Sequence, residues 1–149
     1  MIKVLLSILQ SSRPKQWVKN FVIFLPMVFS FNESWFVDDF WEIFFTSSYA
    51  FVGFVLISSS IYLLNDSLDI RLDQNHPTKK YRPIASGELS INVARISSVI
   101  IGLLAILVAF FIGIDFLVAM ISYLLIMLGY VFLFRNVFIL DVFSISTGF

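Results

Sequence analysis

Four long apolar runs constrain this chain more than any other feature of its sequence. A transmembrane α-helix needs about 20 predominantly apolar residues to cross the hydrocarbon core of a bilayer. Apolar windows near this length predict four spans, at about Val18–Phe31, Ile43–Leu64, Val93–Ile112 and Phe116–Phe134, and a fifth that begins near Asn136. The sequence therefore predicts an all-α fold, a polytopic transmembrane helical bundle.

The composition supports a membrane environment. Of the 149 residues, 59% are hydrophobic and 13% are charged, and a soluble domain of this size could not bury so much apolar surface in one core. The formal net charge is zero, so charge indicates neither a nucleic-acid partner nor an acidic substrate. The chain has no Cys, which excludes disulfides and thiolate metal sites.

The N-terminal segment, residues 1–17, precedes the first predicted span. Its apolar stretch is shorter than the h-region of a signal peptide, and no small-residue cleavage site follows it. We therefore expect an interfacial helix, with its membrane face formed by Leu5, Leu6, Ile8 and Leu9. The first span is short and contains Pro26, which membrane helices tolerate when neighbouring groups satisfy the freed carbonyl.

The basic residues predict the orientation of the spans. All 10 Lys and Arg residues fall on one side of the predicted layout. The loops on the opposite side carry only acidic charges, at Glu33, Asp38, Asp39, Glu42 and Asp115. The positive-inside rule then places the N-terminus and the basic loops in the cytoplasm. We expect an integral protein of a bacterial-type cytoplasmic membrane.

The chain ends within the fifth predicted span. Residues 136–149 would form about 21 Å of helix, against roughly 30 Å of hydrocarbon. We therefore expect residues 1–149 to be one incomplete transmembrane domain, the N-terminal part of a longer protein.

Charged residues gather in the predicted cytoplasmic loop 65–90, within NDSLDIRLDQNHPTKKYRPIASG. Asp66, Asp69 and Asp73 are spaced i, i+3, i+7, so in a continuous helix their side chains fall within about 60° of one another. Such like charges repel, and a bound Mg²⁺ would offset them. A solvated helix end is the alternative interpretation.

Basic residues follow this acidic face. His76-Pro77 ends the helix, and Lys79, Lys80 and Arg82 come next. Carboxylates that hold Mg²⁺ beside cations that bind phosphate would form a diphosphate site. We expect His76 to be a turn residue or a neighbour of the ligands, because Mg²⁺ prefers oxygen ligands.

Two further features carry open alternatives. In RPKQWVKN at 13–20, Lys15 and Lys19 would share a face if helical, and they would bind either anionic lipid headgroups or a second phosphate. Asp141 lies six residues into the fifth span. An ionisable residue there is a candidate substrate-binding group, or it faces water near the cytoplasmic end.

These motifs resemble the UbiA superfamily of intramembrane prenyltransferases. Its acidic signature NDxxDxxxD is matched here by Asn65, Asp66, Asp69 and Asp73. The longer string HPTK…RPIASG, with RPKQWVKN and FRNVFILDVFSISTGF, is similar to the subgroup of decaprenyl-phosphate phosphoribosyltransferases. The resemblance covers nearly the whole chain.

The resemblance implies a bundle of about nine spans and a Mg²⁺-dependent transfer. Phosphoribosyl pyrophosphate would donate its phosphoribosyl group to a polyprenyl phosphate, and pyrophosphate would leave. The signature residues Asn65, Asp66, Asp69 and Asp73 would hold Mg²⁺, with the three aspartates catalytic. Phosphate groups would contact Lys79, Lys80 and Arg82, and the lipid phosphate or the 5-phosphate would contact Lys15 and Lys19. The family's second motif lies outside this chain, so we expect residues 1–149 alone to be inactive.

Two rival functions remain at this stage. The same acidic face would serve a UbiA-type aromatic prenyltransferase that uses a prenyl diphosphate. A transporter half or a lipid-binding scaffold belongs to another class. For a transporter, ionisable residues at mid-membrane are expected, whereas here the charges cluster at the cytoplasmic mouth.

Overall fold

The computed structural model describes residues 2–134, which form an all-helical bundle with no β-strand among them. The α-helices in chain order are α1 (Ile2–Ser11), α2 (Leu25–Phe29), α3 (Phe40–Leu68), α4 (Ile70–Gln74), α5 (Ile91–Ile112) and α6 (Ile114–Gly129). Short helices of other types are the 3₁₀ segments Pro14–Phe24, Val37–Asp39 and Lys79–Tyr81, and the π-helical turn Tyr130–Phe134.

Three helices in the described part of the chain are long and apolar enough to cross a membrane. They cover Val37–Leu68, Ile91–Ile112 and Ile114–Phe132. These helices confirm the second, third and fourth predicted spans. The predicted fifth span, from about Asn136, lies outside the described residues.

The first predicted span differs in conformation from the expectation. Residues Val18–Phe31 do not form one α-helix, because a 3₁₀ helix runs to Phe24 and α2 begins at Leu25. Pro26 explains where the change occurs. Proline has no backbone N–H to donate, so it is tolerated in the first turn of an α-helix and disrupts a helix interior.

The segment nevertheless runs antiparallel along α3. Phe21 packs on Phe51 with ring centroids 4.8 Å apart, and farther along the chain Phe24 lies 6.3 Å from Phe44. The segment is not among the helices of the described part of the chain that are long and apolar enough to cross a membrane. The first predicted span, Val18–Phe31, is therefore not found as a spanning helix.

Helices α3 and α5 pack closely through small residues. Ser60 Oγ donates to the carbonyl of Ser98 at 2.8 Å, and Ser98 Oγ donates to the carbonyl of Ser60 at 2.8 Å. A Cβ atom added at Gly102 would lie 3.0 Å from Ser60 Oγ. Small residues and interhelical hydrogen bonds of this kind are typical of helix contacts in membranes.

Helix α1 has the two-sided character that the sequence predicts. Leu5, Leu6 and Leu9 are exposed on one side, and Ser7 is buried on the other. Ile8 is the exception, because it packs against a buried cluster of the protein rather than facing outward.

That buried cluster fixes the loop between α4 and α5 to the bundle. It consists of Leu63 from α3, Ile84 and Leu89 from the loop, and Ala94 from α5. Each of the four side chains is at most 3% exposed. The loop that carries the charged residues is therefore held in one position on the end of the bundle.

Candidate functional site

The acidic signature lies at the junction of α3 and α4, where the helix is interrupted. Asp69 stands between the two helices, with φ −95° and ψ 12°. The predicted common face required an unbroken helix, so the interruption changes the arrangement. Asp66 and Asp73 are buried, each 3% exposed, whereas Asp69 is half-buried.

Arg82 joins the two buried carboxylates. Its Nη1 donates to Asp66 Oδ1 at 3.0 Å and to Asp73 Oδ2 at 2.7 Å. A single guanidinium nitrogen therefore bridges residues from the end of α3 and from α4. The structure brings these three predicted site residues together.

A second arginine reaches the same oxygen from the N-terminal segment. Arg13 Nη2 donates to Asp66 Oδ1 at 2.6 Å, and its guanidinium carbon lies 4.5 Å from the centroid of the Tyr62 ring. Arg13 has φ 53°, a left-handed conformation that is uncommon for residues other than glycine. This conformation turns the chain sharply from α1 into the 3₁₀ helix, and the arginine meets α3 at the turn.

A cavity of about 220 Å³ lies beside this cluster. Its charged lining consists of Arg13, Arg82 and Asp66, and its neutral lining consists of Gln10, Ser11, Thr78, Tyr81 and Pro83. Arg13 and Arg82 face the cavity, and Asp66 and Asp73 balance their charge. Guanidinium groups bind phosphate oxygens through paired N–H donors, so the two arginines are the groups of this lining that suit a phosphate.

The turn after α4 is organised by His76. Its Nδ1 accepts hydrogen bonds from the backbone N–H groups of Thr78 and Lys79, at 3.2 and 3.3 Å. The prediction that His76 is a turn residue is thereby confirmed. The turn brings the chain back towards α3, where Arg82 meets the carboxylates.

The two lysines of this loop lie apart from the arginines. Lys79 and Lys80 are exposed in the 3₁₀ turn, and neither lines the 220 Å³ cavity. Lys80 Nζ lies 5.1 Å from the centroid of the Tyr81 ring, which suggests a cation–π contact. Their predicted contact with phosphate stays a prediction.

The basic residues before α2 also differ from the expected geometry. Because a 3₁₀ helix has three residues per turn, Lys15 and Lys19 lie about 120° apart around its axis and do not share a face. Lys15 lines an open groove of about 630 Å³. The apolar part of that groove includes Leu6, Leu9 and Pro14.

The predicted magnesium ligands are not gathered into one group. Among residues 2–134, no three His, Cys, Asp or Glu side chains form a cluster that could hold a metal ion. The oxygen donors of Asp66 and Asp73 suit a hard cation, but Arg82 lies between them. Asn65 is half-buried beside Asp66, and Asp141 lies outside the described residues.

Arg13 is the site residue that the sequence did not single out. In the segment RPKQWVKN the predicted site residues were the two lysines. In the structure it is Arg13 that contacts a carboxylate, that of Asp66, 53 positions away. One signal was present, because three crowded aspartates require positive charge from elsewhere. The sequence did not specify which arginine would supply it.

The chain has recognisable relatives. The sequence pattern of the UbiA prenyltransferase family matches residues 17–149. Two curated relatives are each named decaprenyl-phosphate phosphoribosyltransferase. The protein from Mycolicibacterium smegmatis is 30% identical over 95% of this chain and 44% of its own length. The protein from Corynebacterium glutamicum is 35% identical over 95% of this chain and 42% of its own length.

One further curated relative carries a different name and matches a shorter part of the chain. The nodulation protein NoeC of Azorhizobium caulinodans is 35% identical over 54% of this chain and 24% of its own length. The chain thus spans less than half the length of the curated relatives it matches.

Proposed function

Because the chain belongs to the UbiA prenyltransferase family, we propose that the protein transfers a phosphoribosyl group from phosphoribosyl pyrophosphate to a polyprenyl phosphate. The observation that carries this proposal is the similarity to relatives named decaprenyl-phosphate phosphoribosyltransferase over 95% of the chain. The chain spans less than half of those relatives, so the proposal concerns the complete protein. Its activity is that of a membrane-bound glycosyltransferase.

The arginine-lined cavity supports a diphosphate donor. In the proposed reaction an oxygen of the polyprenyl phosphate attacks the anomeric carbon of the ribose. The bond from that carbon to pyrophosphate breaks, and its electron pair leaves with the pyrophosphate. Negative charge then develops on the leaving oxygens, where Arg13 and Arg82 would stabilise it. The acceptor phosphate is already anionic, so no strong general base is required.

We assign the remaining cations to the substrates. Lys79 and Lys80 would contact the donor phosphates from the exposed 3₁₀ turn Lys79–Tyr81. Lys15 and Lys19 would bind the lipid phosphate or the 5-phosphate. The groove beside Lys15 supports this role for Lys15, because apolar Leu6 and Leu9 line the same groove. Asp141 remains a candidate substrate-binding residue.

We also propose Mg²⁺ as the cofactor, on the resemblance to the family, with Asn65, Asp66, Asp69 and Asp73 as candidate ligands. The described arrangement does not fit a bound ion as it stands, since arginines hold Asp66 and Asp73. No step of the proposed reaction is therefore drawn through the metal.

We propose that the acidic cluster lies on the cytoplasmic side of the membrane. The support is the distribution of Lys and Arg, which all fall at the end of the predicted spans that carries Asp66. Polyprenyl phosphate and membrane lipids are the expected partners, together with soluble phosphoribosyl pyrophosphate from the cytoplasm.

A donor assay on the complete protein tests the proposed function. The protein, purified in detergent, is given Mg²⁺, decaprenyl phosphate and phosphoribosyl pyrophosphate, and pyrophosphate release is measured. We expect release that depends on both substrates. Release that instead requires geranyl or farnesyl diphosphate and an aromatic acceptor would assign the protein to the aromatic prenyltransferases. If no donor supports pyrophosphate release, the result favours the interpretation as a transporter half or a lipid-binding scaffold.

A further inference from the structure

We propose that helix α1 and the turn after it hold the acceptor lipid beside the 220 Å³ cavity. The first isoprenoid units of the polyprenyl phosphate lie along Leu6 and Leu9. The phosphate lies between Arg13 and Lys15. The inference rests on the proposed function for the identity of the acceptor. It goes further by assigning the lipid to residues 1–16, which precede the match to the UbiA family.

The first support is an open groove of about 630 Å³ formed by α1 and the start of the 3₁₀ helix. Leu6 and Leu9 line its apolar part. They lie three positions apart on α1 and are 59% and 47% exposed. An interfacial helix presents such a face to the acyl region just below the lipid headgroups. An isoprenoid chain can therefore reach this groove directly from the membrane.

The second support is charge complementarity within the same groove. Lys15 lines the groove and is exposed. No carboxylate of residues 2–134 forms an ion pair with Lys15, so its ammonium group can bind an anion. A phosphate carried on an apolar chain satisfies both the lysine and the apolar wall. A soluble phosphate would leave Leu6 and Leu9 uncovered.

The third support is the position of Arg13. Arg13 and Gln10 line both the 630 Å³ groove and the 220 Å³ cavity, so the two spaces are neighbours. Arg13 donates to Asp66 through Nη2, and a guanidinium carries five N–H donors, so further donors remain for a phosphate. Two substrates react only when the reacting atoms come within about 3–3.5 Å of each other. A lipid phosphate at Arg13 would lie next to the proposed donor.

Another apolar pocket among the described residues does not offer this proximity. It has a volume of about 420 Å³ and lies between α3 and α5, where Tyr49 and Val108 line it. Asp66 is 17 positions beyond Tyr49 on α3, a distance of about 25 Å along the helix. A lipid phosphate in that pocket could not meet a donor in the 220 Å³ cavity.

Lipid binding in the absence of any donor tests the inference. The complete protein in detergent is titrated with decaprenyl phosphate, and binding is followed by native mass spectrometry. We expect Leu9→Gln to raise the Kd about tenfold, because an apolar contact with the lipid chain is lost. Lys15→Gln should raise the Kd about fivefold, because it removes a charge that faces the phosphate.

Leu5→Gln and Lys3→Gln are the matched controls. Each makes the same change at an exposed position of α1 that does not line the groove. We expect each to change the Kd by less than about twofold. All four substituted positions are exposed, so the thermal midpoints of the variants should equal that of the unaltered protein.

Phosphatidylglycerol is titrated in parallel as a competing anionic lipid. If the groove variants weaken its binding as much as that of decaprenyl phosphate, the groove is a general site for anionic lipids and the inference is wrong. Equal Kd values for groove variants and controls, or no binding of decaprenyl phosphate by the unaltered protein, would also overturn it. The donor assay is a separate readout. A protein that binds the acceptor through the groove but releases no pyrophosphate from phosphoribosyl pyrophosphate would overturn the proposed donor alone.

Discussion

At the scale of single residues, Asp66 carries an unusual share of the contacts that hold this site together. Its Oδ1 accepts from Arg13 at 2.6 Å and from Arg82 at 3.0 Å. These arginines come from the turn after α1 and from the loop after α4. One carboxylate oxygen thus connects three separate parts of the chain at the end of the bundle.

This position predicts a stability effect for Asp66→Asn. The variant keeps the shape of the side chain but removes the charge that pairs with two partly buried arginines. Breaking a buried ion pair leaves its partners uncompensated, so we expect a loss of roughly 2 kcal/mol, seen as a thermal midpoint several degrees lower in detergent. Glu88→Gln removes one carboxylate from an exposed position in the same loop and serves as control. Equal midpoints for the two variants would contradict the role of Asp66.

At the scale of secondary-structure elements, the bundle depends on close contact between α3 and α5. Ser60 and Ser98 exchange two hydrogen bonds, and Gly102 leaves room for the Ser60 side chain. A Cβ atom at Gly102 would lie 3.0 Å from that hydroxyl, which would have to shift by a few tenths of an ångström, so Gly102 favours the close approach of the two helices.

We therefore predict that Gly102→Leu destabilises the bundle. Overpacking at a close contact typically costs about 1–3 kcal/mol, and the loss of the serine pair would add to it. Val99→Leu enlarges an exposed residue of the same helix, 61% exposed, and should leave stability unchanged. The thermal midpoint and the yield of monodisperse protein in detergent measure both. A Gly102→Leu variant as stable as Val99→Leu would show that α3 and α5 are not closely constrained there.

The elements also show what apolar patterning can and cannot predict. The lengths of the apolar runs were enough to predict helices α3, α5 and α6. A chain segment that crosses a membrane must satisfy its backbone hydrogen bonds internally, and an α-helix does so. The sequence did not predict the 3₁₀ helix, since the apolar run Val18–Phe31 indicated one short span and only Pro26 hinted at a change of helix type. The interruption at Asp69 and the approach of Arg13 to Asp66 depend on tertiary contacts, which local sequence spacing does not encode.

At the scale of the whole molecule, the charge distribution and the helix packing agree on which ends of the helices lie on the same side of the bundle. The segment 14–29 runs antiparallel to α3, and its beginning meets the end of α3 through Arg13 and Asp66. Helices α3 and α5 pack together, with the charged loop between them in the chain. The acidic cluster and the N-terminal segment therefore share one side of the bundle, and residues 30–36 lie at the other end of α3.

This topology predicts opposite accessibility for two positions. Residues 1–149 contain no Cys, so single cysteines can be introduced into this chain without background. In intact bacterial cells a membrane-impermeant maleimide should label Ser34→Cys, because that residue lies at the end of α3 opposite the acidic cluster. Glu88→Cys, in the charged loop, should be labelled only after the membrane is permeabilised, if the proposed cytoplasmic position of that loop, based on the positive-inside rule, is correct. Both residues are exposed, so membrane sidedness rather than burial decides the outcome.

Labelling of Glu88→Cys in intact cells, with Ser34→Cys protected, would show the opposite orientation. It would place the proposed donor site on the side of the membrane without phosphoribosyl pyrophosphate.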